Sequence, residues 1–307
     1  MEQLSAFIVL GFLESGKTSL IRETVTQDGF SEKGNTLVIV CEEGIEEYDP
    51  IQMGTAYTAV EYIEKIEDFN PTNIDRLIQA HKPDRLIIEF NGMWDINEVD
   101  LPSYINIGQI VMMVDASTFD MYFNNMRQKM VTMIQASDAM IFNRANESMN
   151  LLSMKRNSKL ANPNTQIMFE GENGPINSSF EEDLPYDVHK SIIEINDEDF
   201  GIWFFDAMEL RDRYANKIVK FTAQVYKPKG IPEEFFIPGR VAMTCCSNDL
   251  TVLGFPAINE TKKKVKEGEW VKITAKLEYV DSIEEGPMMH VIDIGMAYPI
   301  EEPITKF

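Results

Sequence analysis

The segment Gly11–Thr18 reads Gly-Phe-Leu-Glu-Ser-Gly-Lys-Thr, which is a complete phosphate-binding loop. An apolar run at 6–10 predicts a buried strand just before the loop, and the pattern at 19–25 predicts a helix just after it. A loop in this context turns successive backbone N–H groups toward an anion at a helix N-terminus. We therefore expect Lys17 to neutralise the β- and γ-phosphates of a nucleotide and the Thr18 hydroxyl to ligate Mg²⁺.

Acidic residues follow a second apolar run, at 36–40, which is typical of a buried strand. Ligands of open α/β sheets bind beyond the carboxyl ends of the strands, so we expect Glu42 or Glu43 to face the metal of the nucleotide. The alternative for this stretch, 41–49, is a solvated acidic loop, because such loops are common in a chain with many acidic residues.

A third apolar run, at 85–88, leads directly into Glu89, and Gly92 follows three residues later. A carboxylate at the end of a core strand is costly to bury without a cation or metal. The pattern therefore predicts that Glu89 holds Mg²⁺ or its water, while Gly92 lets the backbone approach the γ-phosphate.

The first part of the chain alternates between strand and helix patterns. Further apolar runs that predict strands lie at 110–114, 139–142 and 165–169, and a helical pattern lies at 73–80. This alternation predicts an α/β P-loop domain with a doubly wound, mostly parallel sheet and the phosphate loop at its carboxyl edge.

The last third of the chain reads as strands without long intervening helices. The predicted strands lie at 217–226, 240–246, 270–279 and 290–297. Their alternation predicts a smaller, mostly-β domain with an OB-like barrel. A stretch rich in Gly, Asn, Ser, Pro and acids at 170–187 predicts the linker, so we expect two domains, 1–188 and 189–307.

The charge of the chain excludes some classes of function. Over 307 residues, 28 Lys and Arg oppose 50 Asp and Glu, which gives a formal net charge of −22. This charge repels nucleic acid and anionic membrane surfaces, so we expect no nucleic-acid partner. No signal sequence is recognisable and no apolar run approaches the ~20 residues of a membrane span, which predicts a cytoplasmic location without membrane insertion. Only three cysteines occur, and they are expected to be reduced thiols.

The loop, the Glu-x-x-Gly segment that begins at Glu89, the Val-Asp-Ala segment around Asp115 and the segment 143–146 make the first predicted domain resemble the CobW-type GTPases. This family also includes the metal-insertion GTPases UreG and HypB. The resemblance implies Mg²⁺-dependent GTP hydrolysis to GDP, coupled to delivery of a transition metal or a metal-containing cofactor to a client metalloprotein. It implies catalytic roles for Lys17, Glu89 and Glu42.

The resemblance also implies a set of nucleotide contacts and metal ligands. The nucleotide contacts are Gly11, Glu14, Ser15, Gly16, Lys17, Thr18, Ser19, Gly92, Asn143, Arg144 and Asn146. The implied Mg²⁺ ligands are Thr18, Glu42 and Glu89.

The chain departs from the family at the guanine-reading motif, which is Asn-Lys-x-Asp in the family and Asn143-Arg144-Ala145-Asn146 here. An Asp carboxylate accepts two hydrogen bonds from guanine, whereas an Asn amide offers one acceptor oxygen and a mismatched donor. We therefore expect the preference for guanine to be weakened or changed.

A second departure concerns the Cys-x-Cys-Cys metal site of the family. Gly54 is present as in the family, but Thr55, Tyr57 and Thr58 stand where the cysteines would be. That metal site is therefore not carried over to this chain.

The second predicted domain resembles the soluble C-terminal domain of YcgQ-type proteins, which partner membrane permeases. The resemblance rests on the segments 214–226, 244–249 and 268–271 and on the proline-containing end of the chain. It implies association with a permease or a metal-handling system.

Cys245 and Cys246, with Asp249 nearby and His290 from another strand, are candidate ligands for Zn²⁺ or another transition metal. Adjacent residues of a strand point to opposite faces, so both thiolates meet one metal only where the strand bulges or ends. The alternative is that one cysteine is a small core residue and the other is exposed at a turn.

Three hypotheses of function remain open from the sequence. The first is a slow Mg²⁺-dependent nucleoside triphosphatase, most simply a GTPase, that acts as a metallochaperone or a regulator of metal homeostasis. The second is a nucleotide-gated module with little hydrolysis that docks on a membrane permease. The third is a P-loop protein that prefers ATP.

Overall fold

The computed structural model describes residues 3–30, 34–176, 184–230, 232–243, 250–280, 286–300 and 304–305. The chain divides into two compact units, Met1–Ser179 and Phe180–Phe307.

The described strands of the first unit form one sheet. They are β1 (Leu4–Leu10), β2 (Thr36–Val40), β3 (Thr58–Tyr62), β4 (Arg85–Glu89), β5 (Ile105–Asp115), β6 (Ala139–Asn143), β7 (Gln166–Gly171) and β8 (Gly174–Pro175). Their order in the sheet is β3-β2-β4-β1-β5-β6-β7-β8. All neighbouring pairs are parallel except β7 and β8, which are antiparallel. All five residues of β2 are buried, as expected for a strand that is covered on both faces of a parallel sheet.

Helices connect these strands, and side-chain caps fix several of their starts. The helices are α1 (Lys17–Thr26), α2 (Pro50–Thr55), α3 (Pro71–His81), α4 (Phe119–Asn125), α5 (Arg127–Ala136) and α6 (Leu151–Ala161). The side chain of Asn70 accepts a hydrogen bond from the backbone N–H of Asn73, and Pro71 occupies the first position of α3. Asp49 caps α2 in the same way and is likewise followed by a proline. Short helical turns lie at Ile66–Asp68 and Ile96–Glu98.

A buried apolar cluster packs α1 against the sheet directly beneath the phosphate loop. Its members are Val9, Ile21, Val25, Val38, Val40, Tyr48, Met53, Ile87, Met113 and Ile141. The cluster joins β1, β2, β4, β5 and β6 to α1 and α2, so the elements on both sides of the loop share one buried core.

The second unit is mostly β. Its elements are β9 (Ile192–Glu194), α7 (Phe200–Glu209), α8 (Arg211–Tyr214), β10 (Ile218–Tyr226), β11 (Phe235–Met243), β12 (Leu250–Gly254), β13 (Ala257–Asn259), β14 (Trp270–Glu278), β15 (Met288–Met296) and β16 (Ile304–Thr305). The pairings run from β10 through β14, β15, β13 and β11 and return to β10. Buried and less buried residues alternate along β10 and β14, because one face of each strand is turned to the core.

Aromatic side chains fill the core of the second unit. Trp203 of α7 is fully buried and lies 4.8 Å from the ring of Phe221, measured between ring centroids, and 5.7 Å from that of Phe255. A second buried group centres on Asp206, which accepts hydrogen bonds from Tyr214 and from Arg213. These contacts attach α7 and α8 to their own unit.

The α/β P-loop fold and the mostly parallel sheet of the first unit confirm the prediction from the sequence. The second unit is mostly β, as predicted, and no long helix separates the strands from β10 onward in the described ranges. The ten-residue helix α7, which precedes those strands, was not predicted, because its apolar sequence reads equally well as a strand. Within the described part of the chain, no helix is long and apolar enough to cross a membrane.

Candidate functional site

The phosphate loop joins the carboxyl end of β1 to the first turn of α1, and two glycines permit its close contacts. Gly16 has a φ of +94°, and a Cβ at this position would lie 2.3 Å from Nδ2 of Asn143. A Cβ on Gly92 would lie 2.5 Å from the carbonyl oxygen of Gly11. A larger residue at position 92 would push the loop backbone away, and one at position 16 would be strained by its positive φ and would displace the Asn143 side chain, so both positions require glycine.

Lys17 is 4% exposed and begins α1. Its ammonium donates hydrogen bonds to the carbonyl oxygens of Gly11 and Phe12, each at 2.9 Å, and to Oε2 of Glu42 at 2.8 Å. An ammonium group has three donors, so all of them are used inside the protein. The arrangement holds a buried cation against one carboxylate at the mouth of the loop.

Glu89 ends β4 and is 2% exposed. The Thr18 hydroxyl donates to its Oε1 at 2.7 Å, and the Tyr48 hydroxyl donates to its Oε2 at 2.6 Å. Burial raises the pKa of the Glu89 carboxyl, while the hydrogen bonds from Tyr48 and Thr18 act in the opposite direction. Burial also raises the pKa of Tyr48, so its hydroxyl remains protonated and donates.

The acidic segment 41–49 lies against the loop. Oε2 of Glu46 accepts a hydrogen bond from the Ser19 hydroxyl at 2.5 Å. The backbone N–H of Ile45 donates to Oε1 of Glu14 at 2.9 Å. With the contact between Glu42 and Lys17, these bonds fasten the segment to the loop and to the first turn of α1. Glu43, the other acid considered for the metal, is exposed.

The last residue of β6, Asn143, and the residue that follows it, Arg144, also contact the phosphate loop. Nδ2 of Asn143 donates to the carbonyl oxygen of Ser15 at 2.7 Å. Arg144 has a φ of +52°, and its Nη1 donates to the carbonyl oxygen of Glu14 at 3.0 Å and to Oδ2 of Asp115 at 2.7 Å. The carboxyl end of β6 therefore supports the loop through both a side-chain amide and a guanidinium.

Asp115 ends β5 and forms an ion pair with Arg144. Desolvation alone would raise the pKa of Asp115, but hydrogen bonds from the hydroxyl and backbone N–H of Ser117 and from Arg144 lower it. The carboxylate is therefore ionised and fixes the guanidinium over the loop.

Asn146 is the last residue of the segment 143–146 that was predicted to read the base. Its Oδ1 accepts hydrogen bonds from the backbone N–H of Ser148 at 3.0 Å and from the Ser148 hydroxyl at 2.5 Å. Because a local turn uses the acceptor oxygen, the amide N–H₂ is the group that the exposed side chain still offers.

The structure thus places Glu14, Gly16, Lys17, Thr18, Glu42, Glu89 and Arg144 around one cleft. Gly92 and Asn143 contact the loop but do not line the cleft. The space between its walls has a volume of about 20 Å³. Its walls include Leu13, Glu14, Lys17, Thr18, Glu42 and Glu89. Carboxylates, hydroxyls, the buried ammonium and a guanidinium all line this one space, so the cleft is suited to an anion that carries a divalent cation.

Sequence reasoning missed Tyr48, which contacts Glu89 from the end of the acidic segment. No motif marks this position. The only signal is an aromatic residue in the mostly acidic segment 41–49. An aromatic residue that merely packs a loop against the core would give the same signal.

The predicted soft-metal ligands Cys245 and Cys246 lie outside the described residues. Cys41 is buried, and desolvation together with the nearby Glu89 carboxylate raises the pKa of its thiol, which disfavours the thiolate that binds metals. His290 lies between two carboxylates, with Nδ1 2.6 Å from Glu260 and Nε2 2.8 Å from Glu278. Across the ranges that the structure describes, no cluster of three or more His, Cys, Asp and Glu side chains is arranged to hold a metal ion.

Among solved structures, the chain is similar to two HypB proteins and to one GTPase. The hydrogenase maturation factor HypB from Archaeoglobus fulgidus is 18% identical, with 55% of this chain and 82% of that chain covered and a TM-score of 0.41. HypB from Helicobacter pylori, solved in complex with nickel, is 15% identical over 56% of this chain and 80% of its own, with a TM-score of 0.40. The Zn(II)-bound YjiA GTPase from E. coli is 13% identical over 83% of this chain and 88% of its own, with a TM-score of 0.41. At these scores the likenesses carry no argument by themselves.

The sequence comparisons with protein families are more decisive. The family described as CobW/HypB/UreG, nucleotide-binding domain, matches residues 5–169. The family described as DUF1980 C-terminal domain matches residues 172–304. No curated protein matches the chain significantly. The first match covers more than half of the chain and contains the whole cleft, and the chain therefore belongs to the CobW/HypB/UreG family of nucleotide-binding proteins, to which it adds a DUF1980 C-terminal domain.

Proposed function

We propose that this protein binds a nucleoside triphosphate with Mg²⁺ in the cleft above the phosphate loop and hydrolyses it slowly, with GTP as the first candidate. The observation that carries the proposal is the buried ammonium of Lys17. It lies at the mouth of the phosphate loop and donates to one carboxylate, that of Glu42. A triphosphate can take the place of that carboxylate, since both are anions that accept from the same ammonium.

Two buried polar atoms at the loop fit an incoming ligand. Oγ of Ser15 and Oδ1 of Asn143 have no hydrogen-bond partner among the described residues. Buried polar atoms are normally paired, so an unpaired hydroxyl and an unpaired amide oxygen beside the loop favour a ligand that has its own donors and acceptors.

The oxygen atoms at the cleft also fit Mg²⁺. The Thr18 hydroxyl lies beside the Glu89 carboxylate, and Glu42 lies across from Lys17, which gives the hard oxygen donors that Mg²⁺ prefers. These three residues would hold the ion. When bound, Mg²⁺ supplies charge neutralisation between the β- and γ-phosphates.

The residues of the chain have separate roles in this proposal. Lys17 and the loop backbone stabilise the negative charge on the transferring phosphoryl group. Oε1 of Glu89, or the carboxylate of Glu42, orients the attacking water. No arginine other than Arg144 lines the cleft in the described ranges, and Arg144 is tied to Asp115, so intrinsic turnover is expected to be slow without a partner.

We further propose that nucleotide turnover serves the handling of a transition metal or of a metal-containing cofactor in the cytoplasm, with a client metalloprotein or a membrane permease as partner. Membership of the CobW/HypB/UreG family supports this part of the proposal. The nickel bound to HypB from Helicobacter pylori and the zinc bound to YjiA from E. coli are examples of the class of metal proposed as cargo.

The second domain is proposed to be a small OB-like barrel that docks on the partner. The closed circuit of strand pairings through β10, β14, β15, β13 and β11 supports the barrel. We propose 189–307 as its extent, with 1–188 as the nucleotide-binding domain. If the protein binds nucleotide without hydrolysing it, the same barrel makes it a nucleotide-gated docking module.

The test is to measure binding and hydrolysis of GTP and ATP side by side, with Mg²⁺ and with EDTA. In the variant Lys17→Ala we expect triphosphate binding to be lost, because the loop backbone alone does not offset the phosphate charge. Lys65→Ala, which removes an exposed lysine of the same unit, should bind as the wild type does. Near-normal affinity of Lys17→Ala would rule out this cleft as the nucleotide site.

A preference for ATP is the second candidate function. The observation that favours it is the engaged Oδ1 of Asn146, which leaves an amide donor where guanine needs an acceptor. Adenine carries an acceptor at N1, to which such a donor can bind. Equal or tighter binding of ATP in the side-by-side measurement would select this candidate.

A further inference from the structure

Tyr48 is the last residue of the acidic segment before Asp49, which caps α2. It is 7% exposed and packs in the apolar cluster with Met53 and Ile87. Its hydroxyl reaches 2.6 Å from Oε2 of Glu89, so an otherwise apolar environment holds one polar contact. A buried hydroxyl with a single charged partner fixes that partner strongly, because neither group has water as an alternative.

The two oxygens of the Glu89 carboxylate have one side-chain donor each. Thr18 donates to Oε1 and Tyr48 donates to Oε2. A Thr18 hydroxyl that ligates Mg²⁺ through its oxygen can still donate its hydrogen to Oε1 of Glu89. Tyr48 is the described side-chain donor to the other oxygen, Oε2, so it fixes the orientation of the carboxylate from the side away from Thr18.

The position of Tyr48 in the chain adds a second consequence. Two acids of the same segment, 41–49, contact the loop and α1, because Glu42 accepts from Lys17 and Glu46 accepts from Ser19. A nucleotide that took the place of these acids would release two contacts of the segment in which Tyr48 is anchored, and the segment would in this way connect the occupancy of the loop to Glu89.

We propose that Tyr48 is a positioning residue for Glu89, through which the acidic segment 41–49 is coupled to the hydrolytic step. This inference rests on the proposed function, since it assigns a role in the same cleft. Tyr48 touches neither Lys17 nor the loop backbone in the contacts described above. Its removal should therefore affect Mg²⁺-dependent turnover and leave Mg²⁺-independent binding of nucleotide intact.

The first experiment compares Tyr48→Phe with the wild type, using the full-length chain. We expect kcat to fall about ten- to hundredfold, as for other residues that orient a metal-facing ligand, and the Mg²⁺ concentration for half-maximal rate to rise. The Kd for nucleotide in EDTA should stay within about twofold of the wild-type value, because the ammonium of Lys17 is untouched. A merely structural tyrosine would instead change both quantities together with the melting temperature.

Three further variants make the test specific. Tyr62→Phe removes a hydroxyl from a 48% exposed tyrosine that is not bonded to Glu89 and should match the wild type. Tyr48→His keeps a ring with an N–H donor and should recover part of the lost rate, and it also serves if Tyr48→Phe does not fold. In a Glu89→Gln background, Tyr48→Phe should cause little further loss, since residues that act through each other are not additive.

The outcomes separate this inference from the proposed function. If the wild type hydrolyses nucleotide with Mg²⁺ and Tyr48→Phe has the same kcat and Mg²⁺ dependence, Tyr48 is not a positioning residue and the proposed function stands. If the wild type shows no hydrolysis, Mg²⁺ should still tighten its nucleotide binding, and Tyr48→Phe should lose that effect. A wild type without either response overturns both proposals.

Discussion

Nζ of Lys17 and Oε2 of Glu42 lie 2.8 Å apart, although Lys17 belongs to the phosphate loop and Glu42 follows a different strand. Both side chains are largely shielded from solvent, with 4% and 13% of their surfaces exposed. The Glu42 carboxylate therefore forms an ion pair with the same Lys17 ammonium that a phosphate group would contact. Nucleotide binding to this cleft has to exchange one anion for another.

We predict that Glu42→Gln raises the affinity for nucleotide in EDTA by about tenfold, equivalent to ~1.4 kcal/mol. The neutral amide no longer competes for Lys17 and no longer repels the incoming phosphates. The free protein should at the same time melt at a lower temperature, because the buried ammonium loses its charged partner. Calorimetric titration and thermal melting measure the two effects.

Glu43→Gln is the matched control, since it removes the same charge from the neighbouring exposed position. It should change neither affinity nor melting temperature appreciably, because exposed charges are screened. If both variants gain affinity equally, the effect reflects the net charge of the segment and not the contact with Lys17.

A second prediction follows from the raised pKa of Glu89. A carboxyl group whose pKa is higher in the folded than in the unfolded protein contributes its full stability below the unfolded value, near 4.5, and loses it as the pH rises through the folded value. In nucleotide-free protein, the stability of Glu89→Gln relative to wild type should therefore increase with pH over this window and then level off. Each unit of pKa shift corresponds to about 1.36 kcal/mol.

Urea unfolding of both proteins at several pH values measures this difference. The hydrogen bonds from Tyr48 and Thr18 lower the pKa of Glu89 and are already included in its net upward shift, so the sign of the slope is the informative quantity. Glu43→Gln should show no such slope relative to wild type. A flat difference for Glu89→Gln would mean that the carboxyl is not destabilised by burial.

The strands of the first unit were predictable because buried parallel strands leave continuous apolar runs. The run at 36–40 has the bounds of β2, and 85–88 ends one residue short of β4. β3 was not predicted, since its sequence, Thr-Ala-Val-Glu-Tyr, mixes polar and apolar residues at the edge of the sheet. Residues 170–171 and 174–175, inside the predicted linker, belong to β7 and β8.

The candidate site also has a part that was predictable from the sequence and a part that was not. The loop follows a local motif whose spacing fixes its own geometry, and Glu89 and Gly92 were chosen because an acid ends an apolar run and a glycine follows it. The contacts of Lys17 with Glu42 and of Glu89 with Tyr48 join residues 25 and 41 positions apart. Such contacts depend on the strand order of the sheet, in which β4 lies between β2 and β1. That order cannot be derived from the spacing of residues in the sequence.

A third prediction concerns the base. Asn146→Asp should increase the preference for GTP over ATP, because a carboxylate keeps a second oxygen as an acceptor for guanine even while one oxygen is held by Ser148. The ratio of the two Kd values measures the change, and a shift of about tenfold would correspond to ~1.4 kcal/mol. Asn164→Asp, an exposed asparagine of the same unit, is the control. An unchanged ratio would show that Asn146 does not read the base.

The last prediction concerns Cys245 and Cys246, which are adjacent in the sequence of the second domain. If they form a metal site, the reduced protein should bind Zn²⁺ and release protons as the thiols ionise. The double variant Cys245→Ser/Cys246→Ser should lose this binding, while Cys41→Ser should keep it, because the buried Cys41 thiol is disfavoured as a thiolate.

The same titration shows whether that site belongs to the nucleotide cycle. If it does, the Zn²⁺ affinity of the wild type differs between the GTP-bound and GDP-bound protein, and Zn²⁺ changes the ratio of the GTP and GDP affinities by the same factor, as linkage requires. Equal affinities would mean a metal site that acts independently of the cleft. If wild type and double variant bind Zn²⁺ equally, or neither binds it, the two cysteines are not ligands and the second domain acts through its protein surface alone.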